Sequence, residues 1–187
     1  MNTKRMVYVA LFAAIMAVLG FMPPIPLSIT PVPITLQTLG VMLAGGILGA
    51  RLGAMSQLVF LLAVAAGAPL LSGGRGGLSV FVGPSAGYLI GWIAGAFVIG
   101  LLIERMKNPS FMKVLLVNVV GGIGVIYLFG IPVQSMLTNI GIAETALSSL
   151  VFLPGDITKV VIAAALVPKL RTSLKSAVAS YSAIGTR

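Results

Sequence analysis

Phe152-Leu153-Pro154-Gly155-Asp156-Ile157-Thr158-Lys159 holds one of only three acidic residues in the chain, with a lysine three positions beyond it. Residues at i and i+3 share a helix face. A helix starting at the Pro-Gly pair therefore points Asp156 and Lys159 the same way. The run that follows, Val160-Val161-Ile162-Ala163-Ala164-Ala165-Leu166-Val167, is wholly apolar. Charged side chains at membrane depth are costly and face a bundle interior, a water-filled cavity or a ligand. The stretch thus reads as one wall of a polar pocket in a membrane protein. The competing reading is a buried salt bridge with a purely structural role.

Composition points to the same class. Of 187 residues, 58% are hydrophobic and 8% charged, against about 25% charged in a soluble domain. Mean hydropathy is +1.13. An all-α integral membrane protein is expected, folded as one transmembrane substrate-binding domain over residues 1–187. Cys and His are absent, which removes thiolate chemistry and the commonest general base and metal ligand. Asp156, Glu104 and Glu144 are the only carboxylates, too few for an oxygen-rich metal cage. No catalytic residue, metal site or cofactor is expected. The net charge of +9 does not imply nucleic acid. The charges stand at the ends of apolar runs, as membrane topology requires, rather than along one soluble face. The bilayer is the expected partner.

Lys4 and Arg5 precede an apolar run from about Met6 to Phe21, read as a first span rather than a cleaved signal. Ala10/Ala14 and Ala13/Ala17 form i,i+4 pairs in one stripe, of the kind that lets helix backbones approach closely in lipid. The stripe serves either internal packing or docking to another membrane protein. Five prolines from Pro23 to Pro33 forbid a regular helix. Their segment is nevertheless apolar and uncharged, and is expected to lie as a lid over the outer mouth. Thr35, Gln37 and Thr38 open a second span, roughly Leu36 to Ala50. Arg51 marks a tight turn, and a third span continues to about Ala66.

In the glycine-rich stretch from Gly67 to Tyr88, four glycines around Arg75 leave amides and a guanidinium open to an anionic group. The Gly-Lys-Ser/Thr ending of a nucleotide P-loop is missing. The alternative here is a solvated turn. A fourth span runs from Gly87 or Tyr88 to about Ile103, and a fifth from Lys113 to about Gly130, enclosing Asn118. Ile131 to Ala143 reads as a short connection and Glu144 to Phe152 as a half-span or surface helix. The last span, Gly155 to Leu166, is ended by Pro168-Lys169-Leu170-Arg171.

Six transmembrane helices result, with a Pro-rich and a Gly-rich loop on the outer side. Placing both termini in the cytoplasm collects Lys4, Arg5, Arg51, Arg105, Lys107, Lys113, Lys169, Arg171, Lys175 and Arg187 there. Arg75 and Lys159 fall on the other side, where topology does not explain them. With Asp156, Glu144, Tyr88, Gln37 and the proline loop they form one outward-facing pocket. Its inventory fits a small, mostly apolar molecule with a carboxylate at one end and an amide-like head at the other. Ureido N–H groups can donate to Asp156, and a carbonyl can accept from Lys159.

Three segments, in order along these spans, resemble the BioY family, the biotin-binding S-components of energy-coupling factor (ECF) transporters. They are Gly73-Gly74-Arg75-Gly76-Gly77, Gly83-Pro84-Ser85-Ala86-Gly87-Tyr88-Leu89-Ile90-Gly91 and Pro154-Gly155-Asp156-Ile157-Thr158-Lys159. The resemblance covers nearly the whole length. It implies high-affinity capture of biotin at the outer face of the cell membrane. It further implies uptake driven by an ECF module, a transmembrane coupling subunit plus two cytosolic ATPases. Biotin is then the transported ligand and not a cofactor. The resemblance sets Asp156 and Lys159 at the ureido head, Asn118 and Tyr88 in the pocket, and Gln37 near the carboxylate tail. Arg75 is either the carboxylate partner or a loop organiser. The alanine stripe of Ala10, Ala13, Ala14 and Ala17 resembles the surface by which S-components dock on the coupling subunit. In that mechanism the first loop closes over the ligand, and the docked component topples so that the pocket opens inward. The alternatives are an S-component for another vitamin, a membrane enzyme, or a stand-alone secondary carrier of a small carboxylate. A carrier usually shows internal repeats, and none is apparent.

Overall fold

The apolar runs become helices in the computed structural model, which describes the backbone of residues 3–184 and the side chains of residues 3–173. Helix α1 spans Thr3–Gly20, α2 Gln37–Leu48, α3 Ala50–Ala65 and α4 Ala86–Glu104. A continuous helix then runs Phe111–Thr138. It comprises α5 (Phe111–Asn118), a π-helical segment (Val119–Val125) and α6 (Ile126–Thr138). After α7 (Ile142–Ser149) and a 3₁₀ turn (Leu150–Phe152) comes α8 (Leu153–Ile184). Among the described residues, four helical stretches are long and apolar enough to cross a membrane: Thr3–Gly20, Ala86–Glu104, Phe111–Thr138 and Ile142–Ser173. Helices α2 and α3 are shorter and also apolar. The side chain of Lys175 and the whole of Arg187, two of the expected cytoplasmic charges, lie outside the described residues.

Two expected breaks do not occur. Pro132 lies inside α6 and Pro168 inside α8. A proline removes one i→i−4 bond, but a membrane helix tolerates this where neighbouring helices hold the backbone. The extension past Pro132 has a consequence, because it carries Gln134 into the protein interior. The α2–α3 turn also falls slightly earlier than expected. It sits at Gly49, whose φ of 86° is a conformation that glycine adopts without strain, and Arg51 lies in the first turn of α3. Glu104 Oε1 accepts from the Ala50 N–H at 3.0 Å, and Arg171 Nη1 donates to the Gly46 carbonyl at 2.8 Å. A carboxylate thus meets the N-terminus of α3 and a guanidinium the C-terminus of α2, both favourable to the helix dipoles.

The Pro-rich segment is a two-stranded antiparallel hairpin, β1 (Ile25–Leu27) with β2 (Thr30–Ile34), so the fold is not purely helical. Both strands of a ribbon are edges, where proline's missing N–H is tolerated. Side chains alternate across a strand. Thr30 and Val32 are buried while Pro31 points outward. Gln134 Nε2 donates to Thr30 Oγ1 at 3.1 Å, tying the hairpin to α6.

Helix α4 is central and packs on α2, α3 and α6. Its Gly87, Gly91 and Gly95 recur at every fourth residue, a spacing that lets helix backbones meet. They abut Phe129 and Val133, then Ile126 and Phe129, then Gly121 and Ile126. Two apolar clusters result. One, at the hairpin end, includes Phe60, Tyr88, Trp92, Ile126 and Phe152. The other, toward the opposite end, includes Met42, Ile99, Ile103, Val117, Val160 and Val167.

The α4–α6 contact gives a test. A Cβ at Gly87 would lie 2.7 Å from Val133 Cβ, so Gly87→Val forces the two helices apart. Overpacking of this kind costs about 1–3 kcal/mol. The variant is expected to melt several degrees below wild type in detergent, as read by a thermal unfolding assay. An unchanged melting temperature would mean that the helices separate freely.

Candidate functional site

Helix α8 begins at Leu153 and presents Asp156 and Lys159 on one face, three residues apart as the sequence predicts. Lys159 Nζ lies 2.8 Å from Asp156 Oδ1, with both side chains about nineteen-twentieths buried (5% and 6% exposed). It is the one salt bridge among the described residues. Each charge has a second partner from another helix. Lys159 Nζ donates to Thr38 Oγ1 of α2 at 2.9 Å, and Tyr127 Oη of α6 donates to Asp156 Oδ2 at 2.7 Å. Buried charges persist when they are paired and hydrogen-bonded in this way.

The pair borders a cavity of about 60 Å³. Helix α2 contributes Gln37 and Thr38, α4 contributes Tyr88, Leu89 and Trp92, and α6 contributes Ile126 and Tyr127. The hairpin closes one side with Val32, Pro33 and Ile34, and Leu71 and Arg75 of the Gly-rich loop close another. Tyr88, Tyr127 and Phe152 make a mutual edge-to-face trio with ring centroids 6.2–6.4 Å apart, a favoured aromatic geometry. The chamber is therefore aromatic, with one charged pair at its α8 wall.

Arg75 stands where three spaces meet. It borders this cavity and two shallower depressions of about 450 and 340 Å³ outside it. Its Nε donates to the Ser72 carbonyl at 3.3 Å, and its backbone pairs with Leu71. The guanidinium is otherwise exposed, with no carboxylate beside it. Both loop organisation and anion contact are open to it.

Gln37 plays a different part from the one expected of a ligand contact. Its Nε2 donates to the Met16 and Leu70 carbonyls, and its Oε1 accepts from the Ser72 N–H and faces Ser72 Oγ at 3.4 Å. A primary amide has two donors and two acceptor positions, so little of this one remains for a ligand. Gln37 fastens the Gly-rich loop and α1 to α2. Tyr88 borders the cavity with its ring, while its hydroxyl bonds Gln134 and Ser149. Asn118 is buried but does not border the cavity, being lower in the second apolar cluster's region of the bundle. Glu144 is exposed on α7 and pairs with neither Arg75 nor Lys159, so it does not join the expected polar gathering. The alanine stripe divides: Ala10 and Ala14 are exposed, whereas Ala13 and Ala17 pack partly buried against the core.

The family model described as the BioY family matches residues 1–176. The chain belongs to the BioY family. A relative named "Probable biotin transporter BioY" from Bacillus subtilis (strain 168) is 52% identical over 169 residues, covering 90% of this chain and 91% of its own. A "Biotin transporter BioY" from Rhizobium etli is 49% identical, with 89% and 92% covered. The crystal structure of "the S-component for biotin from an ECF-type ABC transporter" superposes with a TM-score of 0.86 at 35% identity, over 92% of this chain and 95% of that one.

For this BioY chain, sequence reasoning passed over Tyr127, Trp92 and Phe152. Aromatic residues inside apolar runs read as ordinary core. One usable signal was the short polar cluster Thr35–Thr38 at the start of α2, from which Thr38 reaches Lys159.

The ion pair is testable on stability alone. Lys159→Met strands a buried carboxylate, and removing one partner of such a pair costs about 3–5 kcal/mol. Asp156→Leu combined with Lys159→Met removes both charges and is expected to melt well above the single Lys159→Met variant. A double variant no more stable than the single one would mean that the two charges are not energetically coupled.

Proposed function

We propose that this chain captures biotin and carries it across the cell membrane as the substrate-binding S-component of an ECF-type transporter. The observation that carries the reading is the unused hydrogen-bonding capacity of the buried pair. An ammonium has three N–H donors and a carboxylate about four acceptor positions. Lys159 engages Asp156 and Thr38, and Asp156 engages Lys159 and Tyr127. One donor and two acceptor positions remain side by side. A ureido group is their complement, with two N–H groups for Asp156 and one carbonyl for Lys159. The rings of Tyr88, Trp92, Tyr127 and Phe152 suit the ligand's apolar body. Arg75, at the mouth, is the cation for its carboxylate tail, and Gln37 holds the wall behind it. The relatives named as biotin transporters support the same ligand.

A cavity of about 60 Å³ has room for several waters at about 10–15 Å³ each. Biotin therefore enters only when a wall moves, and the hairpin is the wall least tied down. In this reading the chain is one domain of six spans, with α2 and α3 the short ones. Both termini are cytoplasmic, and the hairpin and Gly-rich loop are outside. The orientation rests on Lys4, Arg5, Arg51, Arg105, Lys107, Lys113, Lys169 and Arg171, which stand together at the opposite end from the cavity. Exposed Ala10 and Ala14 on α1 supply the docking face for the coupling subunit, and two cytosolic ATPases supply the energy.

The test is equilibrium biotin binding to purified, folded protein beside Asp156→Asn and Lys159→Met. Each variant is expected to bind at least roughly thirtyfold more weakly, the scale of about 2–5 kcal/mol for truncating a buried charged partner. Tight binding that survives both returns the pair to a structural role. A folded wild type that ignores biotin redirects the ligand search to other vitamins. The docking face has its own check. Ala14→Trp adds a ring at an exposed position and is expected to bind biotin normally while abolishing uptake. Normal uptake by this variant would mean that docking occurs elsewhere.

A further inference from the structure

Gln134 is wholly buried on α6, and each end of its amide is engaged by a different element. Its Oε1 accepts from the Tyr88 hydroxyl of α4 at 2.9 Å, and its Nε2 donates to Thr30 Oγ1 of the hairpin at 3.1 Å. Among the described residues, the second is the one hydrogen bond from a helix to either strand. The first bond orients the second. A phenol has a single proton to donate. Given to the amide oxygen, it leaves the NH2 group facing the hairpin.

Both ends of this connection belong to the walls of the cavity. On α6, Tyr127, Gly130 and Gln134 stand at i, i+3 and i+7, on one helix face. Tyr127 holds Asp156 at one end of that face, and Gln134 holds Thr30 at the other. Two helical turns, about 10 Å, separate them. The Tyr88 ring lies between, against Gly130, where an added Cβ would collide with it. It also meets Tyr127 edge to face and lines the cavity. On the hairpin, side chains alternate, so Thr30, Val32 and Ile34 share one side of β2. Val32 and Ile34 line the cavity. Ile34 reaches α8 beside the ion pair, since a Cβ built on Gly155 would lie 3.3 Å from its Cγ2. One amide thus seats the strand that covers the chamber and receives the hydroxyl of a ring that lines it.

We propose that Gln134 is a positioning residue that latches the hairpin over the chamber, and that breaking and remaking its bond to Thr30 sets the pace at which the ligand enters and leaves. The inference rests on the transport reading and deepens it. With the bond made, a cavity of about 60 Å³ does not admit biotin, so the bond breaks before entry. A ligand packed against the Tyr88 ring leaves the ring's hydroxyl on Gln134. The amide then remains aimed at Thr30, and the hairpin closes on it again. Gln134 touches no ligand in this scheme and acts through the strand. The latch works at the outer face, whatever tilt the loaded component later undergoes.

The experiment measures biotin association and dissociation rates, with equilibrium binding, on purified protein. The chain's one tryptophan, Trp92, borders the cavity and serves as the fluorescent probe. Gln134→Leu and Thr30→Val each remove the bond. Each is expected to raise both rates roughly fivefold, equivalent to about 1 kcal/mol of lost hydrogen bonding, while Kd stays within about twofold. Thr30→Ser keeps the hydroxyl and is expected to keep both rates within about twofold of wild type. The double variant is expected to be no faster than either single one, because both changes remove the same bond. Unchanged rates in a folded Gln134→Leu overturn the latch. So does a rise in dissociation alone, which would place Gln134 among groups that shape the bound site, and so do rates that multiply in the double variant. If Gln134→Leu does not fold, as judged by thermal unfolding, Thr30→Val beside Thr30→Ser decides by the same criteria. A wild type that binds no biotin overturns the transport reading and the latch with it, and is recognised before any variant is compared.

Discussion

An ammonium and a carboxylate 2.8 Å apart, each almost wholly buried in a chain this apolar, set conditions on everything around them. Isolated, either charge would be prohibitively costly away from water. Their i,i+3 spacing on α8 forms the pair within one helix, so its existence does not depend on how the helices pack. Its neutral partners do depend on packing. Thr38 arrives from α2 and Tyr127 from α6, and charge-assisted hydrogen bonds of this kind are about twice as strong as neutral ones. The pair therefore fixes the relative placement of three helices. Its partners hold both charged groups in one geometry, and a geometry fixed in advance lowers the cost of any binding there.

The two ends of the bundle are built differently around that centre. At the end opposite the hairpin, Glu104 and Arg171 tie α4 and α8 to the α2–α3 turn, and the helices below the cavity meet through an apolar cluster. At the hairpin end the covering pieces are a short ribbon and a glycine-rich loop. They are fastened by Gln134 to Thr30, by Gln37 to Ser72 and Leu70, and by the Gly77 N–H to the Val64 carbonyl of α3. The cavity thus has helical walls and a cover of two non-helical pieces.

Asp156 and Lys159 were legible in the sequence because charge inside an apolar run has so few explanations. The positions of the helices were legible for the same reason in reverse, since long apolar runs have little choice but to be helical in lipid. What the sequence did not reveal depends on tertiary context. Pro132 and Pro168 read as helix ends, yet neighbouring helices hold the backbone through both, and Gln134 is delivered to Tyr88 only because α6 continues. Prolines that exclude a helix do not announce a two-stranded ribbon, where each strand has a free edge. Asn118 stood out as polar, but a linear sequence does not say how deep along the bundle a residue lies. Gln37 also stood out, and only its contacts with Met16, Leu70 and Ser72 reveal that its capacity is taken up.

Which side of the bundle can yield follows from how its helices touch. Against α6 and the π-helical segment, α4 packs through Gly87, Gly91 and Gly95, and Gly100 meets Gly49 and Ala50. These are contacts largely with backbone, with no side chain at the glycine positions to rotate aside, so opening there means separating whole helices. The side formed by α2, α5 and α8 is different. Its contacts below the ion pair are made by side chains, Met42, Val117 and Val160 among them, and of these the unbranched Met42 can change rotamer while the backbones stay. A π-helical segment holding Gly121, Gly122 and Gly124 lies between the two sides, packed mainly on α4 and touching α2 and α8. Close backbone packing along α4 and side-chain packing among α2, α5 and α8 thus coexist within one small bundle.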